Sequence, residues 1–520
     1  MAFLRRFFSV RWYCIAAALV AYGGCALVWI LSMKPGNNEA WFANPAVDLL
    51  VRHRMGTPTI EGVGTALAGI EQHTYWTMPF YSLAQVPWYW LFGFSLILQR
   101  LFTLFCGVGV LISVYLLVKK LSTEWVAALS VILIACDFQF VEQSAVGRMD
   151  MLCAWLAFSG LALYVNLRET RFRDALLLSN VALAVSCMTH PNGALGLSSL
   201  WVLILYFDRK RLGWREVGLI GAPYVAVLAM WGLYISRAPQ SFLSQLRANV
   251  QGVQADVGGN DRFSLLLHPR WALRSEFHYR YVAAYHSAVI PGVYVLGLLV
   301  LIVLAWRTRR TDHVVFAAIG SIYFAELTLL EGLKRTAYLV HSIPVLVIAL
   351  VLVLCSIKLP RGVIAAVVVL LLLFQGATEV RSRHADGGVR DYLSVLKVLE
   401  ANRMPGEAVI ASAEFAYGLG FEGQVMDDWH IGYYSGKSPG FIVVGGLARN
   451  WLSVHRKDSP ELGAFVDERL GREYVVVLES PTYTVYAKRE RAAGLNLDVS
   501  DARNGSIAKL LWELRSDGRL

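Results

Sequence analysis

The sequence predicts a polytopic α-helical membrane protein with a C-terminal α/β domain outside the membrane. Apolar stretches of about 20 residues recur along the first 380 of the 520 residues, and a helix needs that length to cross a bilayer. Only 17% of the residues are charged, compared with about 25% in soluble domains. From about Val380 onward, helical and β-strand patterns alternate instead. Disordered, collagen-like and small disulfide-rich chains are excluded, and a purely soluble enzyme is disfavoured.

About eleven apolar segments are predicted to span the membrane. The first segment follows Arg5, Arg6 and Arg11 and is longer than the apolar core of a typical secretory signal, which favours a retained span. The break at residues 190–193 separates two short segments. The predicted spans cover residues 12–33, 98–118, 122–140, 147–167, 173–189, 192–207, 215–236, 286–306, 312–331, 335–356 and 359–379.

Basic residues are concentrated in every second loop between these segments. The clusters are Lys119/Lys120, Arg168/Arg171/Arg173, Arg209/Lys210/Arg211/Arg215, Arg307/Arg309/Arg310 and Lys358/Arg361. Together with the N-terminal arginines they fall on one side, which the positive-inside rule makes cytoplasmic. A net charge of +10 placed in this way indicates membrane orientation and argues against nucleic acid as a partner. A multi-pass protein of the bacterial inner (plasma) membrane is therefore expected.

The long segments all fall on the opposite, extracytoplasmic side. We predict a membrane module over residues 1–380 with outer loops 34–97 and 237–285, and a soluble domain over residues 381–520. Within that domain the patterns predict a helix over 391–402 and strands over 408–412, 441–444, 474–478 and 482–487. The run Asp427-Asp428-Trp429-His430 is interpreted as a solvated turn, and a sugar-binding site is the alternative.

Charged and polar residues recur at the outer ends of the predicted spans. They are Asn38-Glu39, Arg148, Asp150, His190 and the pair Lys334/Arg335. Each has a structural interpretation: Asp150 suits a helix dipole, the cations suit snorkelling to lipid headgroups, and His190 suits a turn. Acidic and basic residues nevertheless occur together at the same predicted depth. Placing ionisable groups near the bilayer costs free energy, so their recurrence indicates a functional site.

An outer-face site of this composition suits transfer from a lipid-linked donor. ATP and nucleotide sugars are cytoplasmic, whereas a polyprenyl-phosphate sugar is available in the membrane. Its phosphate leaving group requires cations, here Arg148, Lys334 or Arg335, and the acceptor hydroxyl requires a base, here Glu39 or Asp150. Tyr75 and Trp76 open an aromatic stretch that continues to residue 90; it would hold a prenyl chain or sugar face, or form a simple aromatic belt.

No cofactor is predicted, because no His, Cys, Asp or Glu residues show metal-ligand spacing. All seven cysteines lie in or beside apolar segments, so neither a disulfide framework nor a cysteine metal site is expected. A divalent cation held by Glu39, Asp150 and His190 is the weaker alternative.

The same segments resemble the GT-C glycosyltransferases, in the branch of the protein O-mannosyltransferases and the lipid A aminoarabinose transferases. The resemblance covers about residues 12–210 and, more weakly, 286–379. Asn38-Glu39-Ala40-Trp41-Phe42 is similar to the family's Asp-Glu segment after the first span. The other matching segments are Thr77-Met78-Pro79, Phe92-Gly93 with Arg100, Gly147-Arg148-Met149-Asp150-Met151-Leu152, and Lys334-Arg335-Thr336-Ala337-Tyr338-Leu339 with Pro344.

The resemblance implies a GT-C fold and an inverting transfer of a hexose or pentose from a polyprenyl-phosphate donor to an extracytoplasmic lipid, glycan or protein. It implies Glu39 or Asp150 as the base. The implied substrate-binding residues are Asn38, Tyr75, Trp76, Arg148, His190, Lys334, Arg335 and Tyr338. Two departures stand out: Asn38 replaces the first acidic residue of the pair, and Thr77 replaces a loop lysine.

Two other classes of protein remain open. A transporter or flippase of lipid-linked or small polar substrates usually shows internal repeats and charged, broken helices at the bilayer midplane. Here the charges gather at one surface, and Asp137 and Glu326, the nearest to buried charges, are interpreted as local pairings. A non-catalytic receptor that binds through its C-terminal domain is the third interpretation.

Overall fold

The structure, a computed structural model, describes residues 2–256, 268–332, 334–357, 360–384 and 388–498. Helices make up most of the described chain. The first eleven are α1 Ala2–Ser32, α2 Asn37–Arg52, α3 Phe80–Phe92, α4 Leu96–Leu121, α5 Glu124–Ala135, α6 Phe138–Ser144, α7 Asp150–Leu167, α8 Phe172–Thr189, α9 Gly193–Phe207, α10 Trp214–Ile235 and α11 Pro239–Asp256. The next six are α12 Pro269–Ser275, α13 Ala283–Tyr285, α14 Val289–Thr308, α15 Thr311–Leu329, α16 Leu339–Ser356 and α17 Arg361–His384.

Among the described residues, nine helices are long and apolar enough to cross a membrane. The pair α5 and α6 adds a tenth candidate, bent by 66° between the two helices. The apolar helix α9 has only 15 residues, below the length of about 20 that a full crossing requires. The polytopic architecture is thus as predicted. The total is nine to ten rather than about eleven because an apolar run alone does not reveal where a helix begins and ends.

A buried aspartate lies at the bend between α5 and α6. The Asp137 carboxylate accepts hydrogen bonds from the backbone N–H of Phe140 at 3.0 Å and from the Tyr285 hydroxyl at 2.8 Å. It also accepts from the Tyr294 hydroxyl at 2.7 Å and the Gln375 amide at 2.8 Å. Four neutral donors therefore satisfy this carboxylate, and the bend is fixed by side chains from separate helices.

The chain divides into two compact units. The first contains residues 1–28, 103–234 and 250–383, and the second contains residues 29–102, 235–249 and 384–520. The first unit holds most of the apolar helices. The second combines the segment that follows α1 with most of α11 and the C-terminal part of the chain.

In the first unit the basic loops lie together at one end. Lys120 pairs with Glu169 at 2.8 Å, which joins the loop after α4 to the loop after α7. Arg168 pairs with Asp208 at 2.7 Å, which joins the loop after α7 to the loop after α9. The Ser122 hydroxyl donates a 2.8 Å hydrogen bond to Asp312, which joins the start of α15 to the loop after α4. These contacts support the alternation of spans on which the predicted orientation depends.

The C-terminal part forms a five-stranded mixed sheet with flanking helices. The strands are β1 Val409–Ile410, β2 Val425–Met426, β3 Phe441–Gly445, β4 Tyr474–Glu479 and β5 Tyr483–Lys488, and the helices are α18 Gly388–Asn402, α19 Ala416–Leu419, α20 Gly446–Asp458 and α21 Pro460–Glu468. The sheet order is β2-β1-β3-β5-β4; β1 pairs in parallel with β2 and β3, and β5 pairs antiparallel with β3 and β4. The predicted helix and strands are confirmed. The sequence pattern missed β2 because two residues give no period-2 signal.

One hydrophobic core joins helix α2 of the second unit to this sheet. The small residues Ala40, Ala43 and Ala46 of α2 are fully buried and share that core with Tyr392 of α18 and Val443 of β3. Their spacing of three residues places them on one helix face. The segment after α1 is therefore part of the same folded body as the C-terminal domain.

Candidate active site

Glu39 forms a buried ion pair in the second unit. It is the third residue of α2, and its Oε2 accepts the backbone N–H of Gly36 at 2.9 Å, which caps the helix. Its Oε1 accepts from Arg100 Nε at 2.8 Å, and its Oε2 accepts from Arg100 Nη2 at 2.7 Å. The side chains are 2% and 0% exposed. This bidentate geometry is the strongest arrangement of an arginine and a carboxylate.

Arg100 also binds the end of α1 and the short segment that connects α1 to α2. Its Nη1 donates to the carbonyl oxygens of Ile30 and Met33, and its Nη2 donates to that of Lys34, all at 2.9 Å. The guanidinium therefore satisfies carbonyl groups at the end of α1 while it holds Glu39. Both carboxylate oxygens of Glu39 are engaged within the protein, and the neighbouring Asn38 is half-buried.

Tyr75 and Trp76 lie in a loop held by α11. Both backbone N–H groups donate to the buried Gln245 side-chain oxygen, at 2.7 and 2.8 Å. The Trp76 ring lies 5.5 Å from Trp41 and 6.1 Å from Phe42. Trp76 thus belongs to an aromatic cluster above the start of α2, and its predicted role in holding a prenyl chain or sugar stays a prediction.

The run at residues 427–430 is not a solvated turn. Asp427 and Asp428 are both buried. Asp427 Oδ2 accepts the indole N–H of Trp41 at 2.9 Å and the backbone N–H of Ala413 at 3.2 Å, and its Oδ1 accepts the indole N–H of Trp429 at 2.8 Å. The solvated interpretation is therefore wrong: Asp427 links α2 to the sheet domain, a long-range contact that the local sequence cannot reveal.

The burial of Asp427 predicts a dependence of stability on pH. Burial, together with repulsion from the nearby Glu414, raises the pKa of Asp427 from its ordinary 3.8 to about 7. Between these two pH values the folded chain holds a proton that the unfolded chain has lost, so stability falls as the pH rises through this range. Above about pH 7 this contribution becomes constant.

We therefore expect the thermal unfolding temperature of the second unit to fall between pH 4 and pH 7. Asp427→Asn removes the titrating group, so the variant is expected to show a flatter profile than the wild type. Unfolding monitored by tryptophan fluorescence over this pH range is the measurement. Parallel profiles for the two proteins would contradict the assignment of Asp427.

In the first unit, Asp150 opens α7 beside Arg148. Arg148 Nε donates to Asp150 Oδ2 at 2.9 Å. Asp150 is 2% exposed, and its other oxygen, Oδ1, has no hydrogen-bond partner among the described residues. The aspartate is in the first turn of the helix, where the dipole favours a negative charge. The result is a buried carboxylate that keeps one oxygen available for another donor.

His190 and Tyr338 complete this end of the first unit. The ring centroids of His190 and Tyr338 lie 5.0 Å apart, and Asp150 acts electrostatically on both residues. His190 Nδ1 accepts the backbone N–H of Asn192 at 3.1 Å, and burial lowers the pKa of the imidazole. Arg335 is exposed and acts electrostatically on both rings. The structure therefore pairs Arg148 with Asp150 and His190 with Tyr338, and Arg335 is linked to the second pair through electrostatics.

Lys334 occupies a different position from the one expected for a phosphate ligand. Its ammonium group lies 3.0 Å from Glu276 Oε2 and donates to the carbonyl oxygens of Leu327 at 3.0 Å and Thr328 at 2.6 Å. Lys334 has a positive φ of 49°, and its side chain reaches back to the end of α15. Its three N–H groups are thus used within the protein, and burial lowers its pKa.

The sequence interpretation missed the partners of these residues. Arg100 is an arginine inside an apolar run, and such residues are expected to be paired and functional; that signal could have found it. Arg280 is fully buried and pairs with Glu276 at 2.9 Å and with Glu331. His341 is fully buried in α16. The i, i+4 spacing of Glu276 and Arg280 is a local signal for their pairing. No local pattern predicts that Arg280 meets Glu331 or that Arg100 meets Glu39.

Within the described residues, no group of three His, Cys, Asp or Glu side chains could hold a metal ion. Of the three residues weighed as cation ligands, Glu39 belongs to the second unit, and Asp150 and His190 belong to the first.

No family model and no curated protein matches the sequence. Solved structures do match over most of its length. ArnT from Cupriavidus metallidurans bound to undecaprenyl phosphate has a TM-score of 0.57 and 14% identity, covering 90% of this chain and 97% of that one. The Archaeoglobus fulgidus oligosaccharyltransferase in complex with zinc and sulfate has a TM-score of 0.54 and 14% identity, covering 91% and 73%.

A third similar structure is the archaeal oligosaccharyltransferase AglB from Archaeoglobus fulgidus in complex with an inhibitory peptide and a dolichol-phosphate. Its TM-score is 0.52 at 14% identity, covering 89% of this chain and 69% of that one. At such identities the likeness shows the fold. The polytopic helical architecture with a C-terminal sheet domain is that of the GT-C membrane proteins.

Proposed function

We propose that this chain, whose fold is of the GT-C type, is a membrane glycosyltransferase that moves a monosaccharide from a polyprenyl-phosphate donor to an extracytoplasmic acceptor. The observation that carries the proposal is the Asp150 site. One oxygen of the buried carboxylate is bound by Arg148 and the other has no partner in the described chain. Solved proteins of similar fold hold undecaprenyl phosphate and a dolichol-phosphate, which supports a lipid phosphate as the ligand of this chain.

We assign the role of base to Asp150 rather than to Glu39. A base needs an oxygen that can accept the proton of the acceptor hydroxyl. Asp150 Oδ1 meets this requirement, whereas both oxygens of Glu39 are held by Arg100. Asn38 has no carboxylate. Glu39 is therefore interpreted as a structural residue that fixes the start of α2.

The cations that would face the phosphate are Arg148 and Arg335. In the proposed step the acceptor oxygen bonds to the anomeric carbon and its proton passes to Asp150. The bond from that carbon to the phosphate oxygen breaks, and its electron pair stays on the phosphate. Fixed positive charge next to the departing oxygen lowers the barrier to this step. Lys334 contributes indirectly, because its contacts with Glu276 and α15 shape the segment that carries Arg335.

We infer that the reaction occurs at the outer face of the membrane. The basic loops after α4, α7, α9 and α14 would lie in the cytoplasm, with the N-terminus, according to the positive-inside rule. The start of α7 and the end of α8 would then face the outside of a bacterial inner membrane. The transferred sugar would be a hexose or pentose, and its acceptor a lipid, glycan or protein.

Binding of a lipid phosphate is the first test. We expect undecaprenyl phosphate to raise the thermal unfolding temperature of the purified full chain in detergent. Arg335→Ala is expected to weaken that binding about tenfold, because a hydrogen bond to a charged group contributes about 1.5–3 kcal/mol. Arg307→Ala, which removes an exposed arginine from the last turn of α14, is the matched control and is expected to bind like the wild type.

Native mass spectrometry of the co-purified lipids provides the second readout. A polyprenyl phosphate or its sugar conjugate is the expected bound species. No stabilisation of the wild type by undecaprenyl phosphate, together with the absence of any polyprenyl lipid, would contradict the proposed donor.

A further inference from the structure

A basic pocket lies in the first unit, at the end of α7 opposite to Asp150. It has a volume of about 450 Å³ and lies between the start of α8 and the segment that leads into α10. Because the 18 residues of α7 extend over about 27 Å, the pocket is separate from the proposed transfer site. Its lining residues are Arg171, Phe172, Arg173, Asp174, Arg211 and Glu216.

Two of the lining arginines are each fixed through one nitrogen. Arg173 Nε donates to Glu216 Oε1 at 3.1 Å. Arg211 Nη1 donates to Asp208 Oδ1 at 3.0 Å, and its guanidinium carbon lies 3.8 Å from the centre of the Phe172 ring. The other guanidinium nitrogens of these two side chains have no hydrogen-bond partner in the described part of the chain. The Arg173 and Arg211 side chains are 62% and 44% exposed, so these donors are held in place and accessible to a ligand.

Arg171 contributes a third guanidinium group, which makes no hydrogen bond or ion pair with any described residue. It is exposed and occupies the N-cap position of α8, where no side chain caps the helix. The first N–H groups of a helix lack partners within it, and its N-terminus carries a partial positive charge. The start of α8 therefore adds to the attraction of an anion by the arginines.

The balance of charge around the pocket is positive. Residues 168–174 and 208–216 together contain seven basic and four acidic residues. Of the two carboxylates that line the pocket, Glu216 is already paired with Arg173. Asp174 is exposed and is assigned no role in binding. The charge that remains is complementary to a ligand with a net negative charge.

The pocket lies at the depth expected for lipid headgroups. Helices α8 and α10 are both long and apolar enough to span a membrane, and the pocket is at the first turn of each. Trp214, the first residue of α10, is 91% exposed, and tryptophan is enriched at the interface between membrane and water. Exposed apolar side chains follow on the same helices, including Leu178 and Val217. Basic pockets between membrane helices bind the headgroups of anionic lipids.

We propose that this pocket binds the phosphate group of phosphatidylglycerol or a similar anionic phospholipid. The free N–H groups of Arg171, Arg173 and Arg211 would donate to the phosphate oxygens, whose geometry a planar guanidinium group matches. The acyl chains would lie along α8 and α10. A soluble phosphate ester has no such chains and lacks the free energy gained from their burial. The inference does not depend on sugar transfer at Asp150.

The first test compares two lipids that share their acyl chains. Binding of phosphatidylglycerol and of phosphatidylcholine to the full chain in detergent is measured by native mass spectrometry. Phosphatidylglycerol is expected to bind more tightly, because the choline ammonium cancels the charge of the phosphate. Equal binding of the two lipids would overturn the inference.

Arg171→Gln is expected to weaken the binding of phosphatidylglycerol about tenfold, since a hydrogen bond to a charged group contributes about 1.5–3 kcal/mol. The variant is expected to fold, because Arg171 is exposed. Arg215→Gln is the matched control: it removes an exposed arginine that lies close in sequence to the pocket but does not line it, and it is expected to bind like the wild type. An equal loss in both variants would show a general attraction of basic loops to anionic lipids and would overturn the pocket.

The second test separates the lipid from other sources of phosphate. Phosphatidylglycerol is expected to raise the thermal unfolding temperature of the full chain, whereas glycerol phosphate at the same concentration is not. Equal stabilisation by glycerol phosphate would show that a soluble ester is the ligand. Arg171→Gln is expected to keep the stabilisation by undecaprenyl phosphate, which is proposed to bind beside Arg335. Loss of that stabilisation would place the donor phosphate in this pocket and contradict a separate lipid site.

The failure of this inference differs from the failure of the proposed function. A wild type that transfers sugar but does not discriminate between phosphatidylglycerol and phosphatidylcholine would contradict only the lipid pocket. A wild type that binds phosphatidylglycerol through Arg171 but transfers no sugar and binds no polyprenyl lipid would contradict only the proposed function.

Discussion

Asp150→Asn is expected to abolish sugar transfer while leaving the protein folded. Asparagine has nearly the same shape, and its side-chain oxygen can still accept the hydrogen bond that Arg148 donates at 2.9 Å. It cannot take a proton from the acceptor hydroxyl. General base catalysis contributes about 10²–10⁴-fold to a rate, so kcat should fall by a factor in that range, with little change in donor binding.

Asp174→Asn is the matched control for this substitution. Asp174 also lies in the first turn of an apolar helix, α8, but it is exposed. If Asp150 has only a helix-dipole role, the two variants should behave alike, because both lose the same kind of interaction. Full activity of Asp150→Asn, or an equal loss in both variants, would remove Asp150 as the base.

Arg100→Ala is expected to cause the largest loss of stability. The substitution leaves the Glu39 carboxylate buried without its guanidinium and removes the donors to the carbonyl groups at the end of α1. Breaking a buried ion pair by removing one partner costs about 3–5 kcal/mol. The thermal unfolding temperature in detergent should fall strongly, and little folded protein should be recovered.

The double variant Glu39→Gln/Arg100→Met distinguishes the effect of an unpaired buried charge on stability from the effect of lost side-chain packing. Replacing both partners removes the uncompensated charge, so the double variant should be more stable than Arg100→Ala alone. Glu39→Gln alone should lower stability while a measurable transfer rate remains. A Glu39→Gln protein that is as stable as the wild type and completely inactive would instead return the role of base to Glu39.

The helical membrane architecture could be predicted from the sequence because each membrane span is recognisable from its local composition. Each apolar run predicts a helix by itself, and the alternating basic loops predict how the helices are threaded. The structure joins several of those loops through Lys120, Arg168 and Ser122. What composition could not show is where a run is bent, as between α5 and α6, or how short a helix is, as in α9 with its 15 residues.

The candidate site could be predicted only in part, because some of its residues pair with near neighbours in the sequence and others with distant residues. Asp150 and Arg148 are two residues apart, so their pairing follows from the local sequence. Glu39 and Arg100 are separated by 61 residues, and Asp427 and Trp41 by 386. Partners at such separations depend on tertiary packing, and for that reason the sequence showed neither the ion pair of Glu39 nor the burial of Asp427.

The most direct test of the proposed reaction follows the donor phosphate during sugar transfer. Purified full chain is incubated with an undecaprenyl-phosphate sugar carrying ³²P and with extracted envelope lipids and glycans as acceptors. Labelled undecaprenyl phosphate is expected to appear in an amount equal to that of the sugar transferred, and Asp150→Asn is expected to form neither product. Donors that remain intact with the wild type across the glucose, mannose and galactose panel, or hydrolysis that proceeds equally in Asp150→Asn, would contradict it.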